Sequence, residues 1–180
     1  MKSLGIIGGI APVIEALVRP VTDDDIRDLG RLLLDAVDSG ASVSFMAGIN
    51  EEFAERWWRD VLAKSSERTI FLVARDDKGI AGSVQLHPAW APNQPHRADV
   101  AKLLVHRRAR RKGVGAMLMR EIESRARAAG FTLLTLDTVR GEAAELLYRR
   151  EGWTEVGVIP RYALAPDGAM CDTVVFYKAL

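Results

Sequence analysis

The sequence predicts an α/β (α+β) domain, a mixed sheet of about seven strands flanked by about four helices. Three observations carry this. An apolar run from Val100 to Val105 leads through a basic, glycine-punctuated turn into an amphipathic stretch, and Phe131 to Leu136 reads as the next strand. That βαβ unit requires one parallel crossover. Second, Asp76-Asp77-Lys78-Gly79 separates two apolar runs and reads as a hairpin turn. Third, the whole chain reads as strand, two helices, three strands, helix, strand, helix and two strands.

Taken in order, residues 1–14 are apolar and Gly-rich behind one lysine and read as an appended leader, with a single domain over 15–180. Ala16 to Val21 suits a first strand. Thr22 then supplies an N-cap, and Asp23, Asp24 and Asp25 suit a first helical turn, ahead of Ile26, Leu29, Leu33 and Val37 on one face. Ser39-Gly40-Ala41-Ser42 breaks that helix, and Asn50 opens another with Phe53, Trp57, Val61 and Leu62 as its expected buried side. Strands follow at Thr69 to Ala74, Ile80 to Leu86 and Ala98 to Val105, with a proline-containing loop from His87 to Pro95. Gly130 stops the helix that begins near Val114. The remaining elements are a strand to Thr138, a short helix from Glu142 to Arg150, a strand from Thr154 to Ile159, a loop from Pro160 to Met170, and a strand from Thr173 to Tyr177.

Composition narrows the function. There are 25 Lys+Arg against 24 Asp+Glu, so no broad basic face is expected to follow a nucleic-acid backbone. No apolar run approaches the ~20 residues that span a bilayer, so no membrane role is expected. The single Cys171 rules out an intramolecular disulfide and suggests a cytoplasmic home. His87, His96 and His106 have no metal-ligand spacing and no Ser or Cys partner, so no metal is expected.

The turn His106-Arg107-Arg108-Ala109-Arg110-Arg111-Lys112-Gly113-Val114-Gly115 could be a solvated basic loop or a phosphate site. It sits at the carboxyl end of one strand and the start of a helix, where unpaired N–H groups and the helix dipole favour an anion. Gly113 and Gly115 leave room for a diphosphate to approach those amides. Lys112 is not followed by Ser or Thr, and no GxGxxG is present, so neither an ATP P-loop nor a dinucleotide fingerprint fits.

Arg110-x-x-Gly113-x-Gly115 resembles the R/Q-x-x-G-x-G/A motif of the GNAT superfamily of N-acetyltransferases, and Ala144 to Trp153 resembles its A-x-x-L/F-Y-x-x-x-G-F/W segment. The resemblance implies a mostly antiparallel mixed sheet and acetyl-CoA as cosubstrate. Its diphosphate would rest on Arg110, Arg111, Lys112, Gly113, Val114, Gly115 and Ala116, and its pantetheine along Leu103, Leu104 and Val105. It implies Tyr148 as the acid for the departing thiolate, a transfer that is downhill only if the phenol is more acidic than usual or gives its proton late. Many members carry Asn where this chain has Gly141; Thr138 is the candidate to replace its contact.

Within that family the chain is similar to the tabtoxin-resistance type. The likeness lies in Gly40 to Met46, Arg97 to Val100, Leu136 to Thr138, Ile159 to Gly168 and Phe176 to Lys178. It implies a small, polar, amino-acid-like amine as partner, an antibiotic or toxin among the possibilities, for a monomer or homodimer. Asp99 and Asp137, on the two strands of the βαβ unit, are the expected bases, Asp99 through a water. Phe45 and Tyr162 are expected, from loops, to wall the amine pocket. The alternatives are a non-catalytic acyl-CoA-binding module and an acetyltransferase acting on protein amines.

Overall fold

The computed structural model describes residues 11–180, so most of the expected leader lies outside the described residues. The strands are β1 (Val13–Ala16), β2 (Ile70–Asp76), β3 (Gly79–Pro88), β4 (Arg97–Val105), β5 (Leu133–Val139), β6 (Thr154–Leu164) and β7 (Met170–Ala179). The helices are α1 (Asp23–Asp38), α2 (Glu51–Lys64), α3 (Val114–Ala128) and α4 (Ala143–Arg150). One sheet holds all of these strands in the order β1-β2-β3-β4-β5-β7-β6. Every neighbouring pair is antiparallel except β4 and β5, which run parallel on either side of the α3 crossover.

Each face of the sheet buries its own apolar layer. On one side Leu118, Met119, Ile122 and Ala126 of α3 pack with Leu134, Leu136, Tyr148, Trp153 and Phe176. On the other, Ile26, Leu29, Leu33 and Val37 of α1 pack with Phe71, Val73, Ile80 and Leu104. The α1 stripe and its cap are as expected: Thr22 Oγ1 accepts from the Asp25 amide at 3.1 Å.

Three expectations need correction. β1 lies at Val13–Ala16, earlier than Ala16 to Val21, because the sheet pairing ends as the chain nears Pro20, which has no N–H to extend a ladder. On α2 Leu62 is buried as expected and Trp57 and Val61 are partly buried against the core, but Phe53 is 38% exposed, and the residues buried with Leu62 are Ala54 and Trp58. The two helix faces are similarly apolar, and only docking on α1 chooses between them. Finally, β6 continues through Pro160 to Leu164 where a loop was expected. It tolerates the proline because it is an edge strand whose register with β7 slips between Ile159 and Ala163, with Arg161 at φ +54°.

Candidate active site

The site is made by a split in the sheet. β4 and β5 pair only where Arg97 to Asp99 meet Leu133 to Thr135, although the strands continue to Val105 and Val139. Lys102 adopts φ +51°, and the register with β3 slips between Ser83 and Gln85, a bulge that re-aims the rest of β4. The strands part into a cleft of about 1360 Å³. Leu103, Leu104 and Val105 line it, with β3 on one side and no paired strand on the other among the described residues.

One end of the cleft is suited to an anion. α3 starts at Val114 after Gly113, and no side chain caps it, so the first-turn amides are left available. Gly113 sits at φ +81°, a left-handed conformation that other residues adopt only with strain, and the space its Cβ would take is open. Gly115 is small for a different reason: a Cβ there would stand 3.1 Å from Leu147 Cδ2 of α4. Arg110, Arg111, Gly113, Val114, Gly115 and Ala116 all line this end; Lys112 does not. A diphosphate fits these donors, and the open strand edge suits an extended arm lying beside Leu103 to Val105.

A model of the acetyltransferase (GNAT) family matches residues 34–153. The chain belongs to this family. It is 38% identical over 115 residues to an uncharacterized N-acetyltransferase of the hisH-hisA intergenic region of Azospirillum brasilense, covering 63% of this chain and 67% of that one. Among solved structures it is similar to the ribosomal-protein-alanine N-acetyltransferase of Brucella melitensis, at 22% identity and TM-score 0.76, over 93% of this chain and 99% of that one. It is also similar to yncA of Salmonella typhimurium with its cofactor acetyl-CoA, at 17% identity and TM-score 0.75, over 94% of each chain. The protein is thus a GNAT acyltransferase that uses acetyl-CoA, on the mixed, mostly antiparallel sheet its motifs implied.

In this GNAT cleft Asp137, Thr138, Tyr148, Phe45 and Tyr162 come together with the residues expected to hold the cofactor; Asp99 does not line it. Asp99 accepts from the Arg97 guanidinium and from the Thr135 hydroxyl, and its side chain is 47% exposed. Of the two expected bases, only Asp137 lines the cleft. Register explains it: Asp99 lies opposite Thr135 where the strands still touch, and Asp137 lies two residues further on, where they have parted. Burial pushes the Asp137 carboxyl above the usual carboxylate range; Lys102 opposes the shift and Asp99 adds to it.

Tyr148 is 5% exposed and packs against Trp153 and Phe176. Burial, with a further contribution from Asp137, raises its phenol well above the ordinary value. These surroundings act against an enhanced acidity in the free site. Tyr148 therefore stays protonated at neutral pH, a hydrogen-bond donor at the cleft wall.

The sequence reading missed Lys102. Its ammonium donates to the Val43 carbonyl at 3.0 Å and to Ser44 Oγ at 2.9 Å, and lies 5.6 Å from the Phe45 ring centre and 5.7 Å from that of Trp57. Burial lowers its proton affinity, and Asp137 opposes that shift. A lone lysine inside the apolar run Val100 to Val105 was the available signal. Tyr162 stands on β6, not in a loop, and the Phe45 ring meets Trp57 edge-on at 5.1 Å. Cys171 lies on β7, its thiol 3.4 Å from the Ala163 carbonyl, and no cluster that could hold a metal occurs among the described residues.

Proposed function

We propose that this GNAT enzyme moves the acetyl group of acetyl-CoA directly to the primary amine of a small, polar, amino-acid-like acceptor, in the manner of the tabtoxin-resistance type. One observation supports a small acceptor above others. The loop after α1 and the β6–β7 turn are clasped across the acceptor end, with Ser42 Oγ donating to the Leu164 carbonyl at 2.9 Å and the Ala47 amide to the Pro166 carbonyl at 3.0 Å. An acetyltransferase of protein amines needs an open groove there. Four of the five segments that carry the likeness to that type also contribute residues to the cleft wall: Gly40 to Met46, Val100, Asp137 and Thr138, and Tyr162 to Leu164.

In this reading an aliphatic ammonium, with a pKa of about 10, must lose its proton before it can attack. Asp137 accepts that proton directly or through water, which its raised pKa favours. Asp99 contributes at a distance by making Asp137 more basic. The free amine adds to the thioester carbonyl, an amide near Leu104 or Val105 steadies the oxyanion, and collapse expels the thiolate. Tyr148 donates a hydrogen bond to that sulfur and its proton follows late, while the second proton lost by the adduct nitrogen returns the phenol to its neutral form. Thr138 contacts the pantetheine arm in place of the family's Asn, and Phe45 and Tyr162 wall the acceptor. Retention of Asp137 and Tyr148 in the cleft argues against a non-catalytic acyl-CoA-binding module. Thiol release from acetyl-CoA, followed against small amines, amino acids, antibiotics and peptides, tests the reading; turnover of peptides alone would overturn it.

A further inference from the structure

Six of the seven residues from His106 to Lys112 are basic or titratable, Ala109 being the exception, and like charges this close repel. Yet the loop must hold one shape for its helix-start amides to converge on an anion. Asp35, 7% exposed on the last turn of α1, is the carboxylate that reaches into it. Its Oδ2 accepts from the Arg107 amide at 2.9 Å and from Arg110 Nη2 at 3.4 Å. Its Oδ1 accepts from the Arg107 side chain and lies 3.6 Å from His106 Nε2. Arg110 is further held by the Val105 carbonyl, which accepts from its Nε at 2.9 Å, and by Ser39 Oγ at 3.1 Å. Arg108 turns the other way, to Asp76 and the Ile80 carbonyl.

The arginine that heads the R-x-x-G-x-G pattern is thus engaged with the protein itself, and so is Arg107. Both converge on one buried carboxylate from a distant part of the chain. We propose that Asp35 is a positioning residue for the diphosphate end of the site: it gathers Arg107 and Arg110 so that the amides at the start of α3 are presented to the cofactor. It does not touch the cofactor. Its effect is confined to donors that carry a diphosphate.

This confinement separates positioning from general support of the fold. Asp35→Asn keeps the shape and removes the charge. With acetyl-CoA, the variant should show a KM and a calorimetric Kd raised roughly tenfold or more, with kcat at saturation near that of the parent. S-Acetylpantetheine, supplied at millimolar concentration as a donor without diphosphate or nucleotide, should be used with unchanged kcat/KM. Asp35→Ala should show the same split, more strongly. An equal loss with both donors would make Asp35 a fold residue and overturn the proposal. Unchanged acetyl-CoA affinity in a folded Asp35→Asn variant would overturn it too. Failure of every acceptor amine would instead strike the substrate reading, since cofactor affinity is measured without an acceptor.

Discussion

The Lys102 ammonium and Ser44 Oγ lie 2.9 Å apart, so a residue of the central sheet holds the loop whose Val43, Ser44 and Phe45 line the cleft. The same ammonium lowers the proton affinity of Asp137 against the effect of burial.

Lys102→Met should therefore act on the acceptor side alone. Acceptor KM should rise by roughly tenfold, and acetyl-CoA affinity should stay as it was. The sign of the pH effect follows from the carboxyl: burial and Asp99 raise its pKa, Lys102 lowers it, and losing Lys102 raises it further. Since the base works ionised, the acidic limb of kcat/KM should move to higher pH. An unmoved limb across a full pH series would remove Asp137 as the titrating base.

The two aspartates should differ in their effect. Asp137→Asn should lower kcat/KM by roughly a hundredfold or more, the size expected for a lost general base. Asp99→Asn should lower it several-fold at most, because its carboxylate is bound to Arg97 and Thr135 outside the cleft. Acetyl-CoA affinity should be intact in both. Steady-state kinetics of the two variants and the double variant decide it; equal losses would restore Asp99 as a direct participant.

Tyr148→Phe keeps the ring against Trp153 and Phe176 and deletes the hydroxyl. Stability in denaturant should change by no more than about 1 kcal/mol. Turnover should fall roughly ten- to a thousandfold if the donated hydrogen bond matters to the departing thiolate. The raised phenol pKa also means that its ionisation should place no basic limb in the parent's profile between neutrality and its ordinary pKa of about 10. A Phe variant at full rate would make Tyr148 a packing residue only.

Gly113→Val tests the anion end. The position needs φ +81° and opens on the cleft, so a β-branched side chain is strained and would also fill the space proposed for the diphosphate. Acetyl-CoA affinity should weaken tenfold or more, about 1.4 kcal/mol. Calorimetry on the folded variant checks it, and an unchanged Kd would take this loop out of the cofactor site.

What the sequence by itself determined is local. The Thr22 and Asn50 caps, the Asp76 to Gly79 hairpin turn, the Gly113 start of α3 and the strand–helix–strand order all rest on residues within a few positions of one another. Motif spacing supplied the family by the same local means. Only the tertiary structure decided which face of α2 is buried, since Trp57 and Trp58 are equally apolar and α1 selects one. It alone carried β6 past Pro160, because only a sheet edge tolerates that proline. It also separated Asp99 from Asp137: a bulge at Lys102 parts two strands between them, leaving one carboxylate paired and the other in the cleft. Tyr148's weakened acidity has the same origin. Proton affinity depends on what surrounds a group in space, and those surroundings come from segments far apart in the chain.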